Sequence, residues 1–157
     1  MIAWPLAELL PHAGDMILID GIESFDEEQI HAHLTVRPGG LFNREDGSLP
    51  AWVGIELMAQ TVAAYAGCRA RQQGKPVELG FLLGTRKFEC DVEHFPVGAQ
   101  LRVHALRSLE DENGMGVFEC HLHGPGLYAT ARLNVFRPPQ AAAYLAEAGG
   151  DEEPQHD

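Results

Sequence analysis

The sequence has no apolar run long enough to cross a bilayer, and its first residues lack the basic segment of a secretory signal. These absences predict a cytoplasmic protein that does not associate with membranes. Basic residues are also scarce, because 11 lysines and arginines stand against 23 acidic residues, for a formal net charge of −12. Nucleic acid is therefore excluded as a partner, since phosphate contacts need a basic face.

Cysteine is scarce too, with Cys68, Cys90 and Cys120 far apart and without a C-x-x-C pair. This excludes a disulfide framework and a zinc ribbon, so we interpret the three thiols as reduced and mostly buried. The glycine-rich stretches fit no phosphate-loop pattern. We predict neither a metal nor an organic cofactor.

Two H-x-H pairs, His31/His33 and His121/His123, lie in segments with strand-like alternation. Alternate residues of a strand point the same way, so each pair could hold a metal ion. No acidic or cysteine ligand stands at matched spacing, and we interpret both pairs as part of a solvated strand face.

The length of 157 residues suits one domain with a sizeable core. We assign residues 1–138 to this domain and residues 139–157 to a C-terminal extension whose acidic tail is predicted to be disordered. Hydrophobic patterning predicts strands over 16–25 and 29–36, the second with Ile30, Ala32, Leu34 and Val36 on one face. It also predicts one long helix over 51–73 that stops at Gly74, and four further strands. Those four strands are predicted over residues 79–89, 100–109, 114–123 and 127–136. A single helix among antiparallel strands predicts an α+β domain whose sheet covers the helix.

The predicted helix is apolar on nearly every side, which is typical of a buried helix. Glu56 and Gln60 break this pattern and share one face, because they are four residues apart. A carboxyl group in such surroundings is costly to ionise without a partner, and a carboxyl that keeps its proton suits a general acid. A narrow wet stripe without chemistry explains the same spacing equally well.

The predicted helix start offers a second element of a site. Pro50 precedes it, and the first backbone N–H groups of a helix, here those of Ala51 and Trp52, have no partner within the helix. Such groups could polarise a thioester carbonyl, as in an oxyanion hole.

Several segments together resemble the hotdog-fold β-hydroxyacyl acyl-carrier-protein dehydratases, closest to the branch associated with aryl-polyene-type pigments. The first is Leu10-Pro11-His12, followed by a strand that ends at Asp20. The second is the helix segment 50–60, with its proline, its acidic residue and its Ala-Gln pair. Residues 80–88 and residues 95–103, the latter with the pattern Pro-x-Gly-x-x-Leu, resemble two of the family's later strands. The resemblance covers residues 9–136. It implies a hotdog fold and an activity on acyl thioesters carried by an acyl carrier protein.

One feature of that family is missing. Its catalytic histidine stands in a loop fourteen residues before the helix acid, where this sequence has Phe42. His94-Phe95-Pro96 lies after the helix, and we interpret it as a coincidental match. The resemblance therefore implies Glu56 as the acid and leaves His12 as the candidate base, with a structural role for His12 equally open. Gln60, Ala51, Trp52 and Phe42 are the candidate substrate-binding residues.

Three functions follow from these residues. The first is dehydration of β-hydroxyacyl chains in fatty-acid or polyene-type biosynthesis. The second is a hotdog thioesterase in which Glu56 activates water, and the third is a non-catalytic acyl-binding subunit of a hotdog heterodimer. Six strands leave sheet edges that need cover, so we expect a homodimer or a heterodimer. Arg86 and Lys87 could dock an acidic carrier or its phosphate, although ordinary exposed charges explain them as well.

Overall fold

The long apolar segment forms the central helix, α2 (Val53–Gln72), in a computed structural model that describes residues 4–11, 14–77 and 80–137. The helix ends in a Schellman motif, in which Gly74 has a φ of 71°. The N–H of Gly74 donates to the carbonyl of Arg71, and the N–H of Lys75 donates to the carbonyl of Ala70. The predicted stop at Gly74 is confirmed.

A six-stranded antiparallel sheet packs against this helix. Its order is β1-β2-β6-β7-β8-β4, which leaves β1 and β4 at the edges. The strands are β1 (Gly21–Phe25), β2 (Gln29–Thr35), β4 (Phe81–Cys90), β6 (Gln100–Glu110), β7 (Met115–Gly124) and β8 (Leu127–Phe136). The α+β hotdog architecture predicted from the sequence is thereby confirmed.

Strand alternation determines which residues reach the helix. On β2, Ile30, Ala32 and Leu34 are buried, as their spacing predicts. The neighbouring strands contribute buried residues to the same core: Leu101, Val103 and Ala105 on β6, Phe118, Cys120 and Leu122 on β7, and Ala129, Ala131 and Leu133 on β8. The intervening residues of each strand lie on the outer face of the sheet.

Some elements differ from the predictions. The predicted strand over 16–25 is shorter, because residues 14–16 form a 3-10 turn and β1 begins at Gly21. A second, two-stranded sheet of β3 (Leu49–Pro50) and β5 (His94–Phe95) was not predicted, because two-residue strands carry no periodic pattern. The predicted extension 139–157 lies outside the described residues. Among the described helices, none is both long and apolar enough to cross a membrane.

A short helix, α1 (Leu6–Leu9), packs on α2 at Gly67. A Cβ atom at Gly67 would lie 2.3 Å from the carbonyl oxygen of Leu9 and 2.9 Å from its Cα. Because both atoms belong to the backbone, no side-chain rotation relieves the overlap. Glycine at this position therefore sets the distance between α1 and the central helix.

We expect Gly67→Ala to destabilise the fold by about 1–3 kcal/mol, because α1 must move away from the helix. Gly54→Ala is the matched control in the same helix, since its Cβ would meet only ring atoms of Phe95 and Phe88 at 3.4 and 3.6 Å. Its gain in helix propensity of up to about 1 kcal/mol should leave that variant as stable as the parent or more so. Urea unfolding of both variants tests the difference, and equal stabilities would contradict this account of Gly67.

Candidate active site

Gln60 lies at the centre of the candidate site and has no exposed surface. Its Oε1 accepts the backbone N–H of Leu18 at 2.8 Å, and its Nε2 donates to the carbonyl of Met16 at 2.6 Å. The same Nε2 lies 3.1 Å from Oε2 of Glu56, one helical turn earlier. Gln60 therefore joins the central helix to the segment that leads into β1, and it also orients the carboxylate.

Glu56 is half-buried and lines an apolar cleft of about 290 Å³ beside the helix. Ala59, Ala63 and Ala66 follow it at helical spacing and form one wall of the cleft. The opposite wall comes from the sheet and the chain around it, with Gly116, Phe118, Val135, Phe136, Leu82 and Val77. Glu110, paired with Arg137, lines the cleft as well. A largely apolar cleft with the Glu56 carboxylate at its side suits a slender acyl chain whose reacting carbons lie next to the acid.

The cleft also includes Pro11, the residue that precedes His12 in the sequence. His12 itself lies outside the described residues, so its role as the base stays a prediction. The sequence pattern predicted the strands β7 and β8, but it did not show that Phe118 and Val135 line this cleft. That arrangement depends on the tertiary path of the helix over the sheet.

The predicted oxyanion donor at Ala51 is wrong. Its N–H donates to the carbonyl of Glu93 at 3.0 Å, in register with the pairing of β3 and β5. The helix begins two residues later than predicted, at Val53, with Trp52 as its N-cap. The reason is that the segment before the helix joins the second sheet instead of ending as a free helix terminus.

Phe42 and Trp52, two of the candidate substrate-binding residues, lie together. Their rings meet edge to face with centroids 5.8 Å apart, and Trp52 is 56% exposed. At the position where the resembled family carries a catalytic histidine, this protein thus has an aromatic contact at the start of the helix. A phenyl ring neither accepts nor donates a proton, so Phe42 is no replacement base.

The two buried cysteines are unsuitable as nucleophiles. Burial raises the pKa of the Cys68 thiol to about 11 and that of the Cys120 thiol to about 12, so both stay protonated at neutral pH. Cys90, the third cysteine, is half-buried. His94 lies on β5 opposite Pro50, where its ring contacts Arg44.

Both the fold and the cleft place this chain among the hotdog proteins. A family model for the ApeP dehydratase matches residues 4–146, and the chain belongs to this ApeP-like dehydratase family. The resemblance seen in the sequence is thereby confirmed, and so is the dehydratase class. No functionally curated protein shows a significant match.

Solved structures agree with this assignment. A chain of the dehydratase heterocomplex ApeI:P from Xenorhabdus doucetiae is 30% identical, with 92% of this chain and 99% of that chain covered and a TM-score of 0.82. The E. coli PaaI protein of a phenylacetic acid degradation operon is 16% identical, with 74% and 82% covered and a TM-score of 0.56. A hypothetical thioesterase with coenzyme A from Streptococcus pneumoniae is 9% identical, with 77% and 96% covered and a TM-score of 0.55. The last two share the fold alone.

We expect Gln60→Leu to lower the free energy of unfolding by about 1–3 kcal/mol, because it removes the partner of the Leu18 N–H and of the Met16 carbonyl, which lie in a partly buried part of the fold. Thr61→Val is the matched control. The Thr61 hydroxyl is equally buried, but it donates to the Leu57 carbonyl, which already accepts a helix N–H. Its loss should cost about 1 kcal/mol or less. Similar losses in the two variants, measured by urea unfolding, would disprove the bridging role of Gln60.

Proposed function

We propose that this dehydratase removes water from β-hydroxyacyl chains carried as thioesters on an acyl carrier protein, in fatty-acid or polyene-type biosynthesis in the cytoplasm. The observation that supports this most directly is the half-buried Glu56, held by Gln60 at the side of an apolar cleft. The cleft suits the acyl chain, and the carboxyl group suits the departing hydroxyl.

In the proposed reaction a base removes a proton from the α-carbon next to the thioester carbonyl. Glu56 gives its proton to the β-hydroxyl group, which leaves as water while the α–β double bond forms. Negative charge develops on the thioester oxygen during this step, and backbone N–H groups at the helix start, including that of Trp52, stabilise it. No metal or organic cofactor takes part in this proposal.

We assign the base to His12. It follows Pro11 directly in the sequence, and Pro11 lines the same cleft as Glu56. Glu56 and His12 of one site come either from the same subunit or from two different subunits. In both cases Phe42 supplies no base. Phe42 and Trp52 are assigned to the contact with the thioester end of the substrate, and Gln60 keeps Glu56 turned toward it.

We propose that the protein works as a dimer of hotdog subunits, paired through β4. This edge strand is ten residues long and carries two exposed leucines, Leu82 (45%) and Leu83 (55%). The other edge, β1, has five residues and exposes Glu23 and Ser24 instead. An unpaired edge strand with exposed apolar residues at its start can pair with another strand. We propose a second hotdog dehydratase chain as the partner, because the similar ApeI:P structure is a dehydratase heterocomplex. A homodimer is the other possible outcome.

The phenyl ring at position 42 supports a second candidate function. Because Phe42 stands where the family has its catalytic histidine, this chain would bind the acyl group and stabilise an active partner in a heterodimer, without catalysing the reaction itself. Hydrolysis by Glu56-activated water is less well supported, since three solved thioesterase structures with the same fold are only 9%, 12% and 13% identical to this chain.

Glu56→Gln should lower kcat for dehydration about 100-fold or more, because the amide cannot donate the proton that the leaving hydroxyl needs. The assay uses the full chain, alone and with a hotdog partner, on a β-hydroxyacyl carrier-protein thioester. The enoyl product reports dehydration, and free thiol reports hydrolysis. Glu28→Gln, which alters an exposed carboxylate in the β1–β2 turn, is the matched control and should keep full activity.

Unchanged turnover of Glu56→Gln would reject Glu56 as the acid. His12→Ala in the same assay tests the base, and its full activity would move that role to another residue. Acyl binding without either product, with or without the partner, would support the non-catalytic subunit instead.

Leu83→Glu should raise the dissociation constant of the dimer at least about tenfold, because it places a charge on the proposed pairing edge. Leu109→Glu is the control, since Leu109 is equally exposed (58%) but lies near the end of β6, away from β4. Sedimentation of both variants, alone and mixed with the partner, measures the effect. Equal affinities would exclude β4 as the interface.

A further inference from the structure

Three histidines from neighbouring strands form a row on the outer face of the sheet. His31 on β2 is in register with His104 on β6, and His104 is in register with His121 on β7. Each alternates with buried residues that face the helix, so the row lies on the side opposite the candidate active site.

The rings of this histidine row are stacked. The centroids of His31 and His104 are 4.3 Å apart with parallel planes, and those of His104 and His121 are 5.9 Å apart. All three side chains are half-buried. Two unit charges at such distances repel each other measurably even when water screens them, so the row packs best when its rings are neutral.

Hydrogen bonds fix each ring in this stack. Nδ1 of His31 bonds the Ser24 hydroxyl at 3.1 Å, and Nδ1 of His121 bonds the Tyr128 hydroxyl at 2.7 Å. Nε2 of His104 lies 2.8 Å from Oε1 of Gln29, an acceptor, so this nitrogen carries the proton. The rings are therefore held side by side and do not converge on a point. Consistently, the described residues contain no group of three or more ligands arranged for a metal ion.

The charged and titratable groups around the row offer little compensation for added positive charge. They are Glu23 on β1, Asp26 in the turn, His33 on β2, Arg102 on β6, Glu119 and His123 on β7, Tyr128 and Arg132 on β8, and Arg86 and Glu89 on β4. Glu23 is paired with Arg102 at 3.3 Å, and Glu119 with Arg132 at 2.7 Å. Asp26 accepts the N–H groups of Glu28 and Gln29.

We propose that the histidine row is an acid-sensitive element of the fold, in which protonation of the stacked rings loosens the central strands β2, β6 and β7. The direction of the pKa of His104 supports this, since burial first and the neighbouring His31, His121 and His123 next lower it from its ordinary value, with the Asp26 carboxylate opposing only a smaller part of that shift. The folded protein then holds fewer protons than the unfolded chain. The stabilisation is complete above the ordinary histidine pKa of about 6.5, and it is lost as the pH falls through the pKa of His104 in the fold.

The test compares unfolding midpoints in urea at about pH 8 and about pH 5.5, on either side of the ordinary histidine pKa. For the full-length wild type we expect a lower midpoint in acid. His104→Gln removes the middle ring but keeps a donor for Gln29, and it should remove roughly half of that decrease. His33→Gln is the matched control, because it takes an exposed histidine from the same strand face outside the stack. The proposal is overturned if both variants reduce the decrease in the urea midpoint equally, or if neither variant reduces it.

A measurement on folded protein remains informative if His104→Gln folds poorly at pH 8. Titration of the histidine ring resonances by NMR should give His104 a pKa below the ordinary value, and His31→Gln should raise that pKa. Independent titration of the three rings at ordinary values would reject the row as a coupled unit.

Discussion

The amide of Gln60 is the interaction on which both the fold and the candidate site depend. It is the buried polar group that ties the central helix to the backbone of Met16 and Leu18, and through Glu56 it reaches the cleft. An amide can accept hydrogen bonds at its oxygen and donate two from its nitrogen, and here it accepts one and donates two. A carboxylate or an aliphatic side chain at this position would leave at least one of these backbone groups without its partner from the helix.

The candidate site exists because the sheet does not enclose the helix completely. Ala59, Ala63 and Ala66 are apolar yet only half-buried, and the cleft lies along them toward Leu82 and Val135. A helix that is apolar on all sides is stable in water only when every side is covered. The uncovered side and the exposed leucines of β4 therefore have the same explanation in the proposed dimer, where a second subunit and the bound acyl chain would cover them.

The sequence alone predicts much of this fold, because hydrophobic periodicity and helix-stop residues are local properties of the sequence. The alternation of Ile30, Ala32 and Leu34 and the stop at Gly74 both appear in the structure as predicted. The pairing of β3 with β5 could not be predicted, and for that reason the N–H of Ala51 was wrongly assigned to the substrate. Glu56 and Gln60 could be singled out by their spacing, whereas the bond from Gln60 to Met16 joins residues 44 positions apart and has no local pattern.

Strand alternation also separates the two faces of the sheet chemically. Residues of even number on β2 face the helix and its carboxylate, while His31 and its stacked neighbours face outward. Acid affects both sides by different routes, since protonation of a catalytic base stops the reaction within a stable fold, whereas protonation of the histidine row weakens the fold itself. Loss of activity at low pH in this protein therefore identifies a catalytic histidine only when the unfolding midpoint is measured at the same pH. A dehydratase with Phe42 in the expected place of its base makes that distinction necessary, because its pH profile would otherwise be assigned to the wrong imidazole.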